Sequence, residues 1–396
     1  MMHDSGGPRR VAPMLERLGA QVWDPEKIVL VTDHYVPADD EESRRIIRIT
    51  REWADSTGVR NFYDEQGICH VVMPERGHLL PGRFVVGGDS HSCTGGAFGC
   101  YMFGIGATEM LGVLVTGEIW LKVPHTIRIQ WGGRLAAGVG AKDMMLFLCG
   151  RLGMAGGDYQ AIEYAGGAVA ALGMQERMTL SNMTAELGGQ VGLIAPDEVT
   201  VDWLQSVGVP AERIDLAGWQ GDADAPTLAR HDLDAAKLQP QVAAPGSPAN
   251  AADVDAFSSQ AINIAYIGAC TGAKLEDLRM AAQILRGRRV AKGVNLMVAP
   301  ASRRDEDTAR QEGTLELLLS AGAKLLPNAC NVCAGYGADR FDEHAVVISS
   351  TARNFKGRMG HPDARVFLGS PWTVAASAVA GRITDPRDLL ARGDRP

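Results

Sequence analysis

"INIAYIGACTGAKLEDLRMAAQIL", residues 262–285, decides the fold class. The apolar run at its start has the length and composition of a buried strand, and it ends in a loop of small residues that carries Cys270. Apolar residues then recur at the spacing of one helix face, at Leu275, Leu278, Ala282 and Leu285. The stretch therefore predicts a strand, a loop with a reactive side chain, and a helix.

Two earlier stretches share this order. "KIVLVTDHYVP" places Asp33 and His34 directly after an apolar run, and "RFVVGGDSHSCTGG" places Asp89, Ser90 and His91 after another. Alternating strands and helices predict an α/β fold with parallel sheets, in which ligands bind beyond the carboxyl ends of the strands. We therefore expect the reactive side chains at that edge of the sheets.

The composition narrows the class of protein. A chain of 396 residues with 46% hydrophobic and 22% charged residues predicts two or three globular domains. The net charge of -8 and the absence of basic runs with interleaved aromatics argue against a nucleic-acid partner. The chain has no apolar stretch of a membrane helix's length and no secretory signal at its start. Seven scattered cysteines fit reduced thiols, so we expect a cytoplasmic protein.

Shifts in composition also suggest domain boundaries. We expect a first domain over residues 1–125, a second over 126–217 and a third, which contains three of the cysteines, over 261–396. Residues 218–260 are rich in Asp, Ala, Pro and Gly and have little periodic apolar signal, which is typical of a linker.

Three cysteines of the C-terminal third are candidate ligands. In "LLPNACNVCAGYG", Cys330 and Cys333 lie three positions apart. That spacing alone fits a redox disulfide, half of a structural zinc site, part of an iron–sulfur site, or two ordinary buried cysteines. Cys270 precedes a helix whose positive end favours a thiolate. A tetrahedral zinc site uses four protein ligands, whereas three thiolates suit an iron–sulfur cluster with one open iron.

Separate segments of the chain resemble one family. They are "GDSHSCTGGAFGCYMFGIGATEM", "YIGACTGAKLEDLRMAAQILRGRRV", the Cys330/Cys333 loop and "ARNFKGRMGHPDARVFLGSPWTVAASAVAGRITDP". In this order they are similar to 3-isopropylmalate dehydratase large subunits of the aconitase superfamily, in the archaeal-type form shared with homoaconitase and 2,3-dimethylmalate dehydratase. The resemblance implies three α/β/α domains around a 4Fe-4S cluster. It also implies that the superfamily's fourth, swivelling domain is absent from this chain and is supplied by a small subunit.

The resemblance also implies roles for particular residues. Cys270, Cys330 and Cys333 would hold the cluster, and Asp33 and His34 resemble the pair that protonates the departing hydroxyl. The other acid–base candidates are carboxylates and histidines of matching segments, namely His70, Asp89, His91 and Glu186. The groups that would hold a small substrate's carboxylates are Ser90, Arg353, Arg358 and His3.

These roles predict a hydro-lyase or isomerase that dehydrates a 2-hydroxy di- or tricarboxylic acid and rehydrates the alkene in the other orientation. Gly272 and Ala352 depart from the pattern, because the family usually has asparagine at both positions. The departures leave a specialised dehydratase of another malate- or homocitrate-like acid as an alternative. A non-catalytic cluster-binding or iron-sensing protein is the other alternative, although a sensor needs few of the acid–base residues.

Overall fold

The computed structural model describes residues 1–222 and 224–390 and arranges them in three α/β regions. The predicted α/β fold class is confirmed, and every region is built mainly on parallel strands. The domain boundaries stay a prediction, and the last residues of the third domain, 391–396, lie outside the described part of the chain.

The first region contains a three-stranded parallel sheet in the order β1-β2-β3 and a parallel pair, β4 and β5. Met1 connects the two, since its ammonium donates to the Val86 carbonyl at 2.7 Å and its carbonyl accepts from the Gly88 N–H at 3.0 Å. The elements are β1 (Met2–His3), α1 (Pro8–Leu18), β2 (Val29–Thr32), α2 (Glu41–Thr57), β3 (Asn61–Asp64), α3 (Cys69–Glu75), β4 (Phe84–Gly87), β5 (Tyr101–Gly104) and α4 (Ala107–Thr116).

The second region is a four-stranded parallel sheet in the order β8-β7-β6-β9. Its edge strand β9 comes from the segment that the sequence suggests as a linker, and it pairs with β6 along its whole length. The elements are β6 (Thr126–Gly132), α5 (Ala141–Leu152), β7 (Ala161–Ala165), α6 (Gly167–Ala170), α7 (Met174–Asn182), β8 (Val191–Leu193), α8 (Glu198–Ser206) and β9 (Ala229–Asp234).

The third region is a seven-stranded sheet in the order β11-β10-β16-β15-β12-β13-β14, antiparallel only at the β10 end. Strands β10 and β11 also come from residues 218–260, so that segment contributes to two sheets. The elements are β10 (Gln241–Ala243), β11 (Ala251–Asp253), β12 (Ile264–Ile267), α9 (Leu275–Leu285), β13 (Asn295–Val298), α10 (Arg303–Gln311), α11 (Thr314–Ala321), β14 (Ala323–Leu325), α12 (Asn331–Ala334), β15 (Val346–Ser349), β16 (Arg365–Leu368) and α13 (Pro371–Ala380).

The main apolar core joins the first region to the third. Val31 and Ile68 of the first region belong to the same buried cluster as Ile267, Leu278 and Val374 of the third. Burying these side chains holds the strand ends of both regions against one another. Among residues 1–222 and 224–390, no helix is both long enough and apolar enough to cross a membrane.

Candidate active site

The site forms where strands of the first and third regions end. Asp33 and His34 follow β2, Asp89 follows β4, and Cys270 follows β12. The backbone N–H of Cys330 donates to the carbonyl oxygen of Asp33 at 2.8 Å. This hydrogen bond fastens the two-cysteine loop of the third region to the Asp33–His34 loop of the first.

Asp33 and His34 form a buried ion pair. The His34 Nδ1 lies 2.7 Å from the Asp33 Oδ1, and the Asp33 Oδ2 accepts from the backbone N–H of Cys69 at 2.7 Å. Burial opposes both charges, but the carboxylate's charge and hydrogen bond raise the pKa of His34 to about 10. The imidazolium in turn holds the pKa of Asp33 below its usual range, against the effect of burial. At neutral pH His34 is therefore a protonated, oriented acid.

His3, at the end of β1, and Asp4, directly after it, support this pair. The fully buried Asp4 carboxylate accepts from the backbone N–H groups of Asp33, His34 and Tyr35 at 3.2, 3.1 and 2.7 Å. The His3 ring stacks on the His34 ring with centroids 4.3 Å apart, and its Nε2 lies 3.0 Å from the Gly88 carbonyl oxygen. Burial, followed by the charge of His34, lowers the pKa of His3. One ring of the stack is therefore charged and the other neutral.

A second group centres on Asp89. Its Oδ1 lies 2.8 Å from the His70 Nε2 and accepts from the backbone N–H of His91 at 2.8 Å. Asp89 is also the N-cap of a 3-10 helix, Ser90–Phe98, whose first turn carries His91. Although burial opposes its charge, the hydrogen bond and charge of His70 hold the pKa of Asp89 well below its usual range.

A chain of polar contacts continues from His91 across the regions. The His91 Nε2 lies 3.0 Å from the Glu186 Oε1, which also accepts from the Arg353 Nε at 2.5 Å. The Arg353 Nη1 donates to the Ser90 hydroxyl at 2.9 Å. Burial alone would raise the pKa of Glu186, but the charges of His91 and Arg353 hold it low. Asp89, Ser90 and Arg353 line an open cleft of about 370 Å³.

The three predicted cysteine ligands lie at the same place. Cys330 and Cys333 hydrogen-bond each other, and the charge of Cys333 acts on the pKa of Cys270, which burial raises to about 12. Arg358 lies beside Cys333. Ala269, which positions Cys270, has a φ of 70°, a left-handed conformation that costs energy in a residue with a Cβ. All thirteen predicted site residues are thus brought together, although their roles stay a prediction.

Asn182 is a site residue that the sequence reasoning missed. Its Nδ2 donates to the Cys270 sulfur at 3.2 Å and to the Thr94 hydroxyl at 2.8 Å. The available signal was its position in "NMTAELG", four residues before Glu186, where one helical turn brings the two side chains to the same face. Three buried polar atoms of this site lack a protein partner in the described chain, namely Asn182 Oδ1, Glu186 Oε2 and Arg358 Nε.

The two departures from the family pattern differ in structure. A Cβ at Gly272 would lie 2.2 Å from the Ser350 Cβ and 2.6 Å from the Ser350 carbonyl oxygen. Gly272 does not have a positive φ, so its requirement is space and not backbone freedom. Ala352 is buried in the apolar core of the second region. The space beside Gly272 is therefore filled by Ser350 and is not left open.

A larger and mainly apolar cleft of about 750 Å³ lies elsewhere, beside Met1, Trp23 and Val85. It contains none of the predicted site residues. The converging titratable groups, and not the cavity volume, mark the active site.

Nearly the whole chain is similar to known proteins. The Aconitase family (aconitate hydratase) profile matches residues 1–261 and 255–381. The 3-isopropylmalate dehydratase large subunit 1 of Methanopyrus kandleri is 43% identical over 98% of this chain and 93% of its own. The probable methanogen homoaconitase large subunit of Methanosarcina mazei is 42% identical over 98% of each.

A solved structure shares the fold. Aconitase X of Thermococcus kodakaraensis, in its holo-form, superposes with a TM-score of 0.51 at 13% identity, covering 92% of this chain and 86% of that one. Because the family profile and the relatives match nearly the whole chain, the chain belongs to the aconitase family.

Proposed function

We propose that this chain is the large subunit of an iron–sulfur hydro-lyase/isomerase of the 3-isopropylmalate dehydratase type. It would dehydrate a 2-hydroxy di- or tricarboxylic acid and rehydrate the resulting alkene. The observation that carries the proposal is the junction at Cys330, whose N–H binds the Asp33 carbonyl and so joins the thiol loop to the charged Asp33–His34 acid. Thiol ligands and a proton donor thereby face one site.

The residues present fit a 4Fe-4S cluster held by Cys270, Cys330 and Cys333. The three soft sulfur donors lie together, and the Asn182 amide already donates to one of them, as hydrogen bonds to ligand sulfur do in such sites. When bound, the cluster would supply a Lewis-acidic iron for the substrate's hydroxyl and a carboxylate.

The other side chains divide into acids and anion-binding groups. His34 is protonated at neutral pH and held by Asp33, so it suits donation of a proton to a departing hydroxyl. Ser90 and Arg353 already contact each other at the cleft, which suits them to grip a carboxylate. Arg358 keeps an unpaired buried Nε, for which a substrate oxygen would supply the partner. We assign His70, Asp89, His91 and Glu186 to orienting these groups. His3, whose ring stacks on that of His34, is assigned to substrate binding.

The proposal includes a partner and a compartment. Several relatives are named large subunits, which supports a small subunit that carries the swivelling domain and completes the site. The seven cysteines, all in the described part of the chain, form no disulfide bond, which supports a reducing, cytoplasmic environment.

A specialised dehydratase for another malate- or homocitrate-like acid is the second candidate. The packing of Ser350 against Gly272 favours it, because an asparagine does not fit there without a change in the loop. A substrate screen with the complete enzyme distinguishes the two. Turnover of 3-isopropylmalate above all other acids tried would exclude the specialised enzyme.

Iron content tests the proposal directly. After anaerobic reconstitution we expect a brown protein with close to four irons per chain, and a colourless one for Cys333→Ala because only three thiolates would hold the cluster. Cys149→Ala is the matched control, since Cys149 is a buried free thiol outside the site. Hydration activity should then require the small subunit. Stoichiometric zinc in a colourless wild type, or full activity without a partner, would contradict the proposal.

A further inference from the structure

Lys142 is a buried cation that connects two loops of the site. It lies in the first turn of α5, and only 3% of its surface is exposed. Its Nζ donates to the carbonyl oxygens of Ser350 and Thr351 at 3.0 and 2.6 Å and to the Thr271 hydroxyl at 3.3 Å. The first two residues precede Arg353, and Thr271 follows Cys270. One ammonium therefore fixes the arginine loop against the cysteine loop.

The position is unfavourable for a cation in three respects. Burial removes the ammonium from water, and the N-terminus of a helix repels positive charge. No carboxylate of the described residues lies within ion-pair distance of Lys142. Lys274 shows the usual solution, because this fully buried lysine pairs with Asp277 at 2.7 Å. Nothing of that kind balances the charge of Lys142.

The surroundings indicate what balances it. The ionisable groups that interact electrostatically with Lys142 include Glu186, Cys270, Cys333 and the neighbouring Asp143. Two of them are proposed cluster ligands, and Cys270 is next to Thr271, whose hydroxyl accepts from the Lys142 Nζ. Glu186 already balances Arg353 and contacts His91. Asp143 accepts from the backbone N–H groups of Gly140 and Gln241, and burial raises its pKa to about 7. The thiolates of a loaded site would therefore supply the further negative charge that Lys142 needs.

We propose that Lys142 is a positioning residue whose positive charge is balanced by the cysteine thiolates when an iron–sulfur group is bound. The same residue holds the arginine and cysteine loops at a fixed separation. The inference rests on the proposed function, because it requires that Cys270, Cys330 and Cys333 bind iron.

The test compares the gain in melting temperature on reconstitution, loaded minus apo, for wild type, Lys142→Gln and Lys142→Arg. Loss of the loop hydrogen bonds affects the apo and loaded proteins alike and largely cancels in this difference, whereas loss of the charge does not. We expect the melting temperature of Lys142→Gln to rise less on reconstitution than that of wild type, and we expect this variant to release iron to a chelator about tenfold faster. Its cluster should also have a more negative midpoint potential. Lys142→Arg should retain most of the wild-type gain. Lys237→Gln, on an exposed lysine, is the control.

The outcomes separate the two proposals. If wild type takes up no iron, the proposed function fails and this inference fails with it. If wild type is loaded but Lys142→Gln shows the same gain, release rate and potential, only the role of Lys142 is wrong. If Lys142→Arg behaves as poorly as Lys142→Gln, shape and not charge matters, which also overturns the inference. Should Lys142→Gln fold poorly, Lys142→Arg decides: wild-type potential and iron release in this variant support the role of the charge, and loss of both overturns it.

Discussion

Two of the buried groups of acids in the described part of the chain differ in protonation. In the active site, Asp33 and Glu186 contact charged or chargeable partners and have pKa values below their usual range. In a second group, here called the acid cluster and formed by Glu75, Ser302, Asp305 and Gln175, the contacts are neutral. Burial, followed by the charge of Asp305, raises the pKa of Glu75 to about 8, and burial raises that of Asp305 to about 6.

The difference shows that burial alone does not make an acid functional. Both groups are almost free of solvent, so desolvation pushes every one of these carboxyls towards the neutral form. In the active site, imidazoles and a guanidinium in direct contact reverse that effect for Asp33 and Glu186. The charges of Arg304, Arg76 and Lys274 near the acid cluster are too weak to do so. The acid cluster instead uses hydroxyl and amide hydrogen bonds to join α3 to α10 and α7, which is a structural task.

The largest effect is expected when the active site is made to resemble the acid cluster. His34→Asn leaves Asp33 buried without its cation, which should cost about 3–5 kcal/mol of stability near pH 6. The lowered pKa of Asp33 contributes stability above its ordinary value of 3.8 and loses it as the pH falls. The raised pKa of His34 contributes stability below 6.5 and loses it as the pH rises through about 10. The gap in free energy of unfolding between wild type and His34→Asn should therefore be widest between pH 3.8 and pH 6.5.

Chemical denaturation from pH 4 to pH 10 measures that gap. His361→Asn is the matched control, because His361 is exposed and its Nδ1 lies 3.8 Å from the Asp363 Oδ2. A gap that does not change with pH would mean that the pair is not ionised, and the contrast between the two acid groups would then be wrong.

Arg353→Lys should have the next largest effect. Lysine keeps the charge but cannot bind the Glu186 carboxylate and the Ser90 hydroxyl through a rigid fork. We expect kcat/KM of the complete enzyme to fall about a hundredfold, or roughly 2.7 kcal/mol, with unchanged iron content. Arg230→Lys is the control, since Arg230 makes a similar fork to Asp232 on the surface. Equal activity of both variants would show that Arg353 only balances charge.

The sequence predicted the fold class and the strand ends that carry the site. Apolar runs before Asp33, Asp89 and Cys270 mark strands β2, β4 and β12. Strands β2 and β12 are almost entirely apolar because they are largely buried, whereas β4 is apolar although Phe84 is exposed and Val85 and Val86 are half-buried. Strand β9 was not predicted. It is an edge strand whose exposed and half-buried residues alternate, so its polar composition resembles that of a linker.

Contacts between residues that are far apart in the sequence could not be predicted either. Asn182 and Cys270 are 88 residues apart, and Lys142 and Thr351 are 209 apart. Periodicity reports only which face of an element is buried, so it does not show which polar atoms of two elements meet. The acid cluster is hidden for the same reason, since Glu75 and Asp305 stand in ordinary helical sequences.

At pH 4.5 the smallest effect is expected from Glu75→Gln, which tests the same difference within the acid cluster. Glu75 accepts a 2.6 Å hydrogen bond from the Ser302 hydroxyl, and the amide oxygen of glutamine can accept the same bond. A raised carboxyl pKa gives stability that is fully present below the ordinary value of 4.5 and is lost as the pH rises through about 8. Glutamine cannot ionise, so the variant should equal wild type in stability at pH 4.5 and should be the more stable of the two at pH 8. Glu186→Gln, the same change on a carboxylate that binds Arg353, should instead destabilise the protein at both pH values. Denaturation midpoints of the two variants at these pH values are the measurement. A loss of stability in Glu75→Gln at pH 8 would mean that the acid cluster is ionised as the active site is.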